Sequence, residues 1–145
     1  GAAFGTTNFA RLVNIKTEVT MAAVALGYTA LLVDGDIVFL QNPLPLMDRT
    51  VDLNIQDDAE GGRNSGFMFC RPTPWSLAFL ARSLAVAQTD EKMRQQPAVN
   101  KALTELAREN HFTHKVLSVD AYPCGKRYFE APKRRMFYWE NPCSK

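Results

Sequence analysis

The chain has 145 residues, 46% of them hydrophobic and 22% charged, proportions ordinary for one globular domain or part of one. A chain of this length can bury a core without disulfides or a structural metal, and a formal net charge of +2 is too small to argue for a nucleic-acid or membrane partner. No apolar stretch approaches the roughly 20 residues that span a bilayer. The opening GAAFGTTNFARL lacks the charged start and apolar centre of a signal peptide and has no initiator Met, as expected of a fragment of a longer chain.

In chain order, Asn8 reads as a helix N-cap, and Phe9, Leu12, Val13, Lys16, Val19, Ala23 and Leu26 follow at roughly helical spacing until Gly27. Tyr28 to Val33 has the length and residue types of a buried strand. Asp34-Gly35-Asp36 interrupts it, Ile37 to Leu40 resumes an extended apolar run, and Asn42-Pro43 and Pro45 stop regular structure. Val51 to Ile55 alternates as a strand with one wet face does, residues 56–65 read as a polar loop, and Gly66 to Cys70 is a second buried strand. Thr73 or Pro74 opens a helix carrying Trp75, Leu77, Leu80 and Leu84, and Ala98 to Arg108 forms another with Val99, Leu103 and Leu106 on one side. Lys115 to Val119 and Met136 to Trp139 read as late strands. Short apolar strands mixed with helices indicate α/β architecture.

Cys70, Cys124 and Cys143 contain no C-x-x-C pair, which argues against a zinc ribbon or a thioredoxin-like site. Being odd in number they leave a free thiol, and a Cys124–Cys143 bridge depends on an oxidising compartment. Lys126, Arg127, Lys133, Arg134 and Arg135 form a local basic excess, read as a solvated face or as the neighbour of an anionic ligand. Gly125-Lys126-Arg127 lacks the upstream Gly and the Ser/Thr of a P-loop. His111 and His114 have no third ligand nearby and read as surface or packing residues.

The chemistry concentrates at Asp34-Gly35-Asp36. Two carboxylates separated by one glycine at the end of a buried strand can reach one ion, because residues i and i+2 share a face and Gly35 allows a tight turn. Such oxygen donors suit hard cations such as Mg²⁺ or Mn²⁺. A plain β-hairpin explains Asp-Gly between apolar runs equally well. An EF-hand loop is excluded, since counting from Asp34 puts Phe39 where glycine is needed and Pro45 where the bidentate glutamate is needed. Asp34-Gly-Asp36-Ile-Val38 also fits the nucleophile motif of haloacid-dehalogenase-like phosphohydrolases, with Asp34 attacking phosphorus and Asp57-Asp58 as the later acidic pair.

The stretch from Lys16 through Leu26-Gly27-Tyr28 to LLVDGDIVFLQNPL resembles the nucleotide-diphospho-sugar transferase family of GT-A-fold glycosyltransferases. The similarity continues through VDLNIQDD and NSGFMFCRPT, then Gln96-Pro-Ala-Val-Asn100 and KVLSVDAYPCGKRYF, over roughly residues 4–142. The resemblance implies one partial domain over residues 1–145, with a mixed sheet flanked by helices and the first strand–helix units upstream of Gly1. It also implies hexosyl or pentosyl transfer from a nucleotide-diphosphate sugar to a glycan or protein acceptor in the Golgi lumen, any membrane anchor lying outside this chain. By the resemblance, Asp36 binds Mn²⁺ (or Mg²⁺) directly and Asp34 contacts ribose or metal through water, while Lys16, Asp58, Asn64, Ser65, Gly66, Gln96 and Asn100 contact donor or acceptor. Two departures stand out. Gln95-Gln96 precedes Asn100 where the family has Asp-Gln, leaving Asp90 as a substitute carboxylate, and Trp139-Glu140-Asn141 stands where the family tends to have His-Asn. An inactive sugar- or nucleotide-binding domain is the non-enzymatic alternative.

Overall fold

The computed structural model describes residues 3, 6–58, 61–109, 111–119 and 121–123. The Met136–Trp139 strand, the basic cluster from Lys126, and Cys124, Cys143 and Glu140-Asn141 lie outside them. Helix α1, Thr7–Ala25, starts two residues earlier than Asn8 suggests, because the Thr6 hydroxyl accepts the Phe9 N–H at 3.2 Å and so caps it. The helix stops before Gly27, whose φ of 87° suits glycine. Helix α2, Pro74–Ala87, is capped by Thr73, with Pro74 at the first position where no N–H is needed. Helix α3, Gln95–Leu106, begins ahead of Pro97 and not after it. Pro97 falls in the first turn, where N–H groups have no intrahelical partner, so it does not break the helix.

Four strands follow the order β1-β3-β2-β4: β1 Ala30–Val33, β2 Leu53–Asp58, β3 Gly62–Cys70 and β4 His114–Leu117. β3 pairs antiparallel with β1 and β2, and β2 pairs parallel with β4, so the expected mixed α/β sheet forms. Two expectations need correction here. Most of residues 56–65 belong to a hairpin, because Gln56, Asp57 and Asp58 pair with Asn64, Arg63 and Gly62 and an Asp57–Arg63 ion pair (2.7 Å) crosses it. β2 also has no wet face from Leu53 to Gln56. Asn54 is buried because its side chain exchanges two hydrogen bonds with the Asp48 backbone (2.9 and 2.8 Å), and Gln56 Nε2 donates to the Tyr122 carbonyl at 3.0 Å. Ile37–Leu40 forms no strand, and Val38 and Leu40 are exposed.

The period of β3 sorts its side chains. Met68 and Cys70 face the helices, joining Leu53, Ile55, Phe79, Leu80, Val99 and Leu103, whereas Phe67 and Phe69 face Met47 and Leu117 on the other side. In α1 the apolar stripe is not the buried one. Ala10, Thr17, Thr20 and Val24 are buried, while Leu12, Val19 and Leu26 are exposed. The two buried hydroxyls are satisfied, Thr17 accepting Gln95 Nε2 at 3.1 Å and Thr20 donating to the Lys16 carbonyl at 2.7 Å. Among the described residues no helix is long and apolar enough to cross a membrane.

Asp52, buried at the start of β2, ties three elements together. Its carboxylate accepts the Thr73 hydroxyl (2.7 Å) at the α2 cap and both the Thr113 N–H and hydroxyl (2.8 and 2.7 Å) before β4. Burial alone would raise its pKa, but these hydrogen bonds and nearby Arg71 outweigh it and hold the carboxyl below 3.8. We expect Asp52→Asn to cost roughly 1–3 kcal/mol at neutral pH, since an amide cannot accept all three hydrogen bonds. The depressed pKa makes the ionised form's contribution complete above pH 3.8 and lost as pH falls through the folded-state value. Denaturant unfolding of both proteins should show the gap closing only in that acid range.

Candidate functional site

β1 ends at Val33, and Asp34 to Ile37 forms a turn closed by the Ile37 N–H donating to the Asp34 carbonyl at 3.2 Å. This turn is not the tip of a hairpin, because the antiparallel partner of β1 is β3 and the residues after the turn pair with nothing in the sheet. β1 occupies an edge of the described sheet.

A bulge in β3 sets the site. Ile55 pairs with Met68 but Gln56 pairs with Asn64, so Ser65, Gly66 and Phe67 stand between them. The displaced chain meets β1: the Asp34 N–H donates to the Gly66 carbonyl at 2.8 Å, and Asn64 Oδ1 accepts the Gly66 N–H at 2.7 Å. Position 66 is crowded by two side chains. A Cβ there would lie 2.5 Å from Asp34 Oδ2 and 2.9 Å from Asn64 Oδ1. The Asp34 carboxylate, with its other oxygen 2.5 Å from Lys16 Nζ, faces a cleft of about 450 Å³.

Three elements and a bulge line this cleft. Phe9, Val13 and Lys16 share one face of α1 at helical spacing, Asp34 and Ser65 form the floor, and Arg94 to Pro97 with Asn100 bring in the start of α3. Below them a buried polar chain runs from the Ser65 hydroxyl to Gln95 Oε1 (3.4 Å) and from Gln95 Nε2 to the Thr17 hydroxyl (3.1 Å). Asn100 clips α3 to β3: its Oδ1 accepts the Arg63 N–H (2.8 Å) and its Nδ2 donates to the carbonyls of Arg63 (2.7 Å) and Gln96 (2.9 Å). Lys16, Arg94 and the positive end of the α3 dipole offset the Asp34 charge, so the cleft is suited to an anion.

Among the residues singled out from sequence, Lys16, Asp34, Ser65, Gln96 and Asn100 line the cleft. Gly66 lies against Asp34, Asp58 accepts Gln96 Nε2 at 2.8 Å, and the Oδ1 of Asn64 is engaged by its own turn. Asp36 is exposed on the turn and is not among the lining residues. Asp90 does not substitute for the missing carboxylate, because it lines a separate hollow with Glu18 and Glu91. Phe9 and Val13 read from sequence only as part of the helical run that carries Lys16, Gln95 only as a departure from the family pattern, and Arg94 carries no signal of its own. Asp57 is paired with Arg63 and Asp58 with Gln96, so neither stands ready as the later acidic pair that a phosphohydrolase would need. His111 stacks on Trp75 and His114 on Phe112 (5.3 and 5.8 Å between ring centres), as packing histidines do. Burial pushes the Cys70 thiol up to about 12, so it is no nucleophile. Among the described residues no three His, Cys, Asp or Glu side chains converge.

The family model described as nucleotide-diphospho-sugar transferase matches residues 1–141. The chain belongs to the nucleotide-diphospho-sugar transferase family. A curated relative, beta-arabinofuranosyltransferase RAY1 of Arabidopsis thaliana, is 28% identical over 106 residues, covering 66% of this chain and 20% of the relative. The chain thus spans about one fifth of the length of that relative. No solved structure matches. The contact between Gly66 and the Asp34 carboxylate gives a direct test. Gly66→Ala should destabilise by roughly 1–3 kcal/mol through overpacking. In an Asp34→Ala background the same change should cost less, and a double-mutant cycle by chemical denaturation would read the coupling. Additive costs would show that the Asp34 carboxylate does not crowd position 66.

Proposed function

We propose that this domain binds the donor of a glycosyltransferase that moves a sugar from a nucleotide diphosphate to an acceptor hydroxyl on a glycan or protein, aided by Mn²⁺ or Mg²⁺ at the Asp34-Gly35-Asp36 turn. The observation that carries the reading is a cation already seated at the turn: the Lys16 ammonium lies 2.5 Å from Asp34 Oδ1, inside a cleft that Arg94 and the first turn of α3 also face. Such an ion would use Asp34 from inside the cleft and Asp36 from the exposed side of the turn. Asp34 and Asp36 are hard oxygen donors on one turn, and Gly66 leaves the second Asp34 oxygen the room that a Cβ would fill. When bound, such an ion supplies Lewis-acid neutralisation of the departing diphosphate.

The chain's own groups account for the rest. Lys16, Arg94 and the α3 N-terminus receive the negative charge of the diphosphate, and Phe9 and Val13 form an apolar wall. The Ser65 hydroxyl, directing its proton to Gln95, presents its oxygen as an acceptor to a sugar hydroxyl. Asn100 acts at one remove by holding α3 against β3, which keeps Gln96 and Asp58 beside the cleft. The arabinofuranosyl activity in the relative's name makes nucleotide-linked pentoses the first donors to test, and a plant relative of that kind favours a secretory-pathway location such as the Golgi lumen.

A thermal-shift panel of nucleotide sugars with and without Mn²⁺ should show metal-dependent stabilisation by one donor class. Asp36→Asn should lower transfer, measured as nucleoside diphosphate released in the presence of acceptor, by on the order of 10²–10³. Its melting temperature without metal should be unchanged or slightly higher, because two neighbouring carboxylates repel. Full activity in the variant would remove Asp36 from the metal site. Donor binding without turnover would instead identify a binding module, a result to which Gln95 at the family's Asp position lends weight.

A further inference from the structure

Gln95 lines the cleft and is nevertheless 2% exposed, with both ends of its amide engaged by hydroxyls. It opens α3, and its side chain joins the two other walls of the cleft. Nε2 donates to the Thr17 hydroxyl on α1, one residue past Lys16, and Oε1 accepts the Ser65 hydroxyl at the β3 bulge (3.1 and 3.4 Å). Thr17 and Ser65 are buried as well. An unpaired amide end would be costly here, so the two contacts together hold the direction of the side chain. The consequence falls on Ser65. A serine hydroxyl has one proton and two lone pairs, and with the proton given to Gln95 the oxygen can only accept from a ligand. A sugar hydroxyl meets such an oxygen as a donor, whereas a phosphate oxygen is itself an acceptor and finds nothing to bind. The amides nearby do not blur this division, since Asn100 is taken up by the backbone at Arg63 and Gln96, and Gln96 Nε2 by Asp58. The donors that suit phosphate lie instead at Lys16, Arg94 and the start of α3.

We propose that Gln95 is a specificity-determining positioning residue. By accepting the Ser65 proton it makes Ser65 an obligate acceptor, so the floor of the cleft selects a free hydroxyl on the sugar and leaves the phosphates to the Lys16 side. Resting on the reading of the cleft as a sugar-donor site, the assignment needs no metal ion at Asp34. Gln95 acts through Ser65, and its effect is a preference among ligands, which a residue that merely held α3 in place would not produce.

Calorimetry with uridine diphosphate arabinofuranose, and with analogues in which each sugar hydroxyl in turn is replaced by fluorine, reads that preference, because fluorine cannot donate. Wild type should bind one of the analogues roughly 3- to 10-fold more weakly than the parent, the loss of about one hydrogen bond. In Ser65→Ala that ratio should fall to near one. Gln95→Glu still accepts the Ser65 proton, so its ratio should match wild type even where the added charge weakens all the probes together. Gln95→Met keeps the length of the side chain but accepts nothing, which frees the Ser65 proton and should narrow the ratio. If Gln95→Met fails to melt cooperatively, Gln95→Glu and Ser65→Ala carry the decision. A ratio that is lost or enlarged in Gln95→Glu would show that Ser65 does not hand its proton to residue 95, and would overturn the assignment. So would an unchanged ratio in Ser65→Ala or in a folded Gln95→Met. Equal binding of all the probes by wild type would overturn it while leaving the donor cleft standing. A wild type that binds none of them removes the donor reading, and this inference with it.

Discussion

The contact on which the site depends is the meeting of β1 and the β3 bulge, where the Asp34 N–H donates to the Gly66 carbonyl at 2.8 Å. It does two things at once. It carries the β1–β3 pairing into the Asp34-Gly35-Asp36 turn, and it brings the Asp34 carboxylate so near position 66 that a Cβ there would crowd it. A bulge is what makes the approach possible, because the extra residues lift Ser65 and Gly66 out of the β2 register and toward β1. Asn64 holds the bulged chain by accepting the Gly66 N–H, so Asn-Ser-Gly works first as backbone architecture.

Around that contact the protein uses buried side-chain amides as connectors. Gln95 links Ser65 to Thr17, Asn100 links α3 to the β3 backbone, and Asn54 links β2 to the segment before it. Each amide offers both a donor and an acceptor without charge, so it can sit in the interior without the desolvation cost of an ion. Gln95 illustrates the choice. It is 2% exposed, and a carboxylate in its place would be buried against two hydroxyl-bearing neighbours. Gln95 is therefore a neutral connector at the edge of the cleft.

Family membership and cleft geometry support one another through charge. Lys16, Arg94 and the start of α3 surround one half-buried carboxylate, an arrangement suited to an anion.

By itself the sequence determined the α/β class, the strand entering Asp34-Gly35-Asp36 and the family, because these rest on local features: a short apolar run, turn residues at fixed spacing, and a motif contiguous in the chain. It also placed Lys16, Ser65, Gln96 and Asn100 near the chemistry, though only through resemblance. Tertiary structure alone decided what those residues touch. Residues 56–65 look like a polar loop because Asp57 and Arg63 are charged, and only cross-strand pairing makes them compatible with a hairpin. Asp52 and Asn54 look like a wet face because nothing local shows that Thr73, Thr113 and the Asp48 backbone will satisfy them. The apolar stripe of α1 misleads for a related reason: Ala10, Thr17 and Thr20 are buried, the two hydroxyls satisfied by Gln95 and the Lys16 carbonyl, while Leu12 and Val19 face outward. Arg94 and Gln95 could not be assigned to the cleft from sequence, because they reach it only after α3 has docked against β3, a contact between residues far apart in the chain.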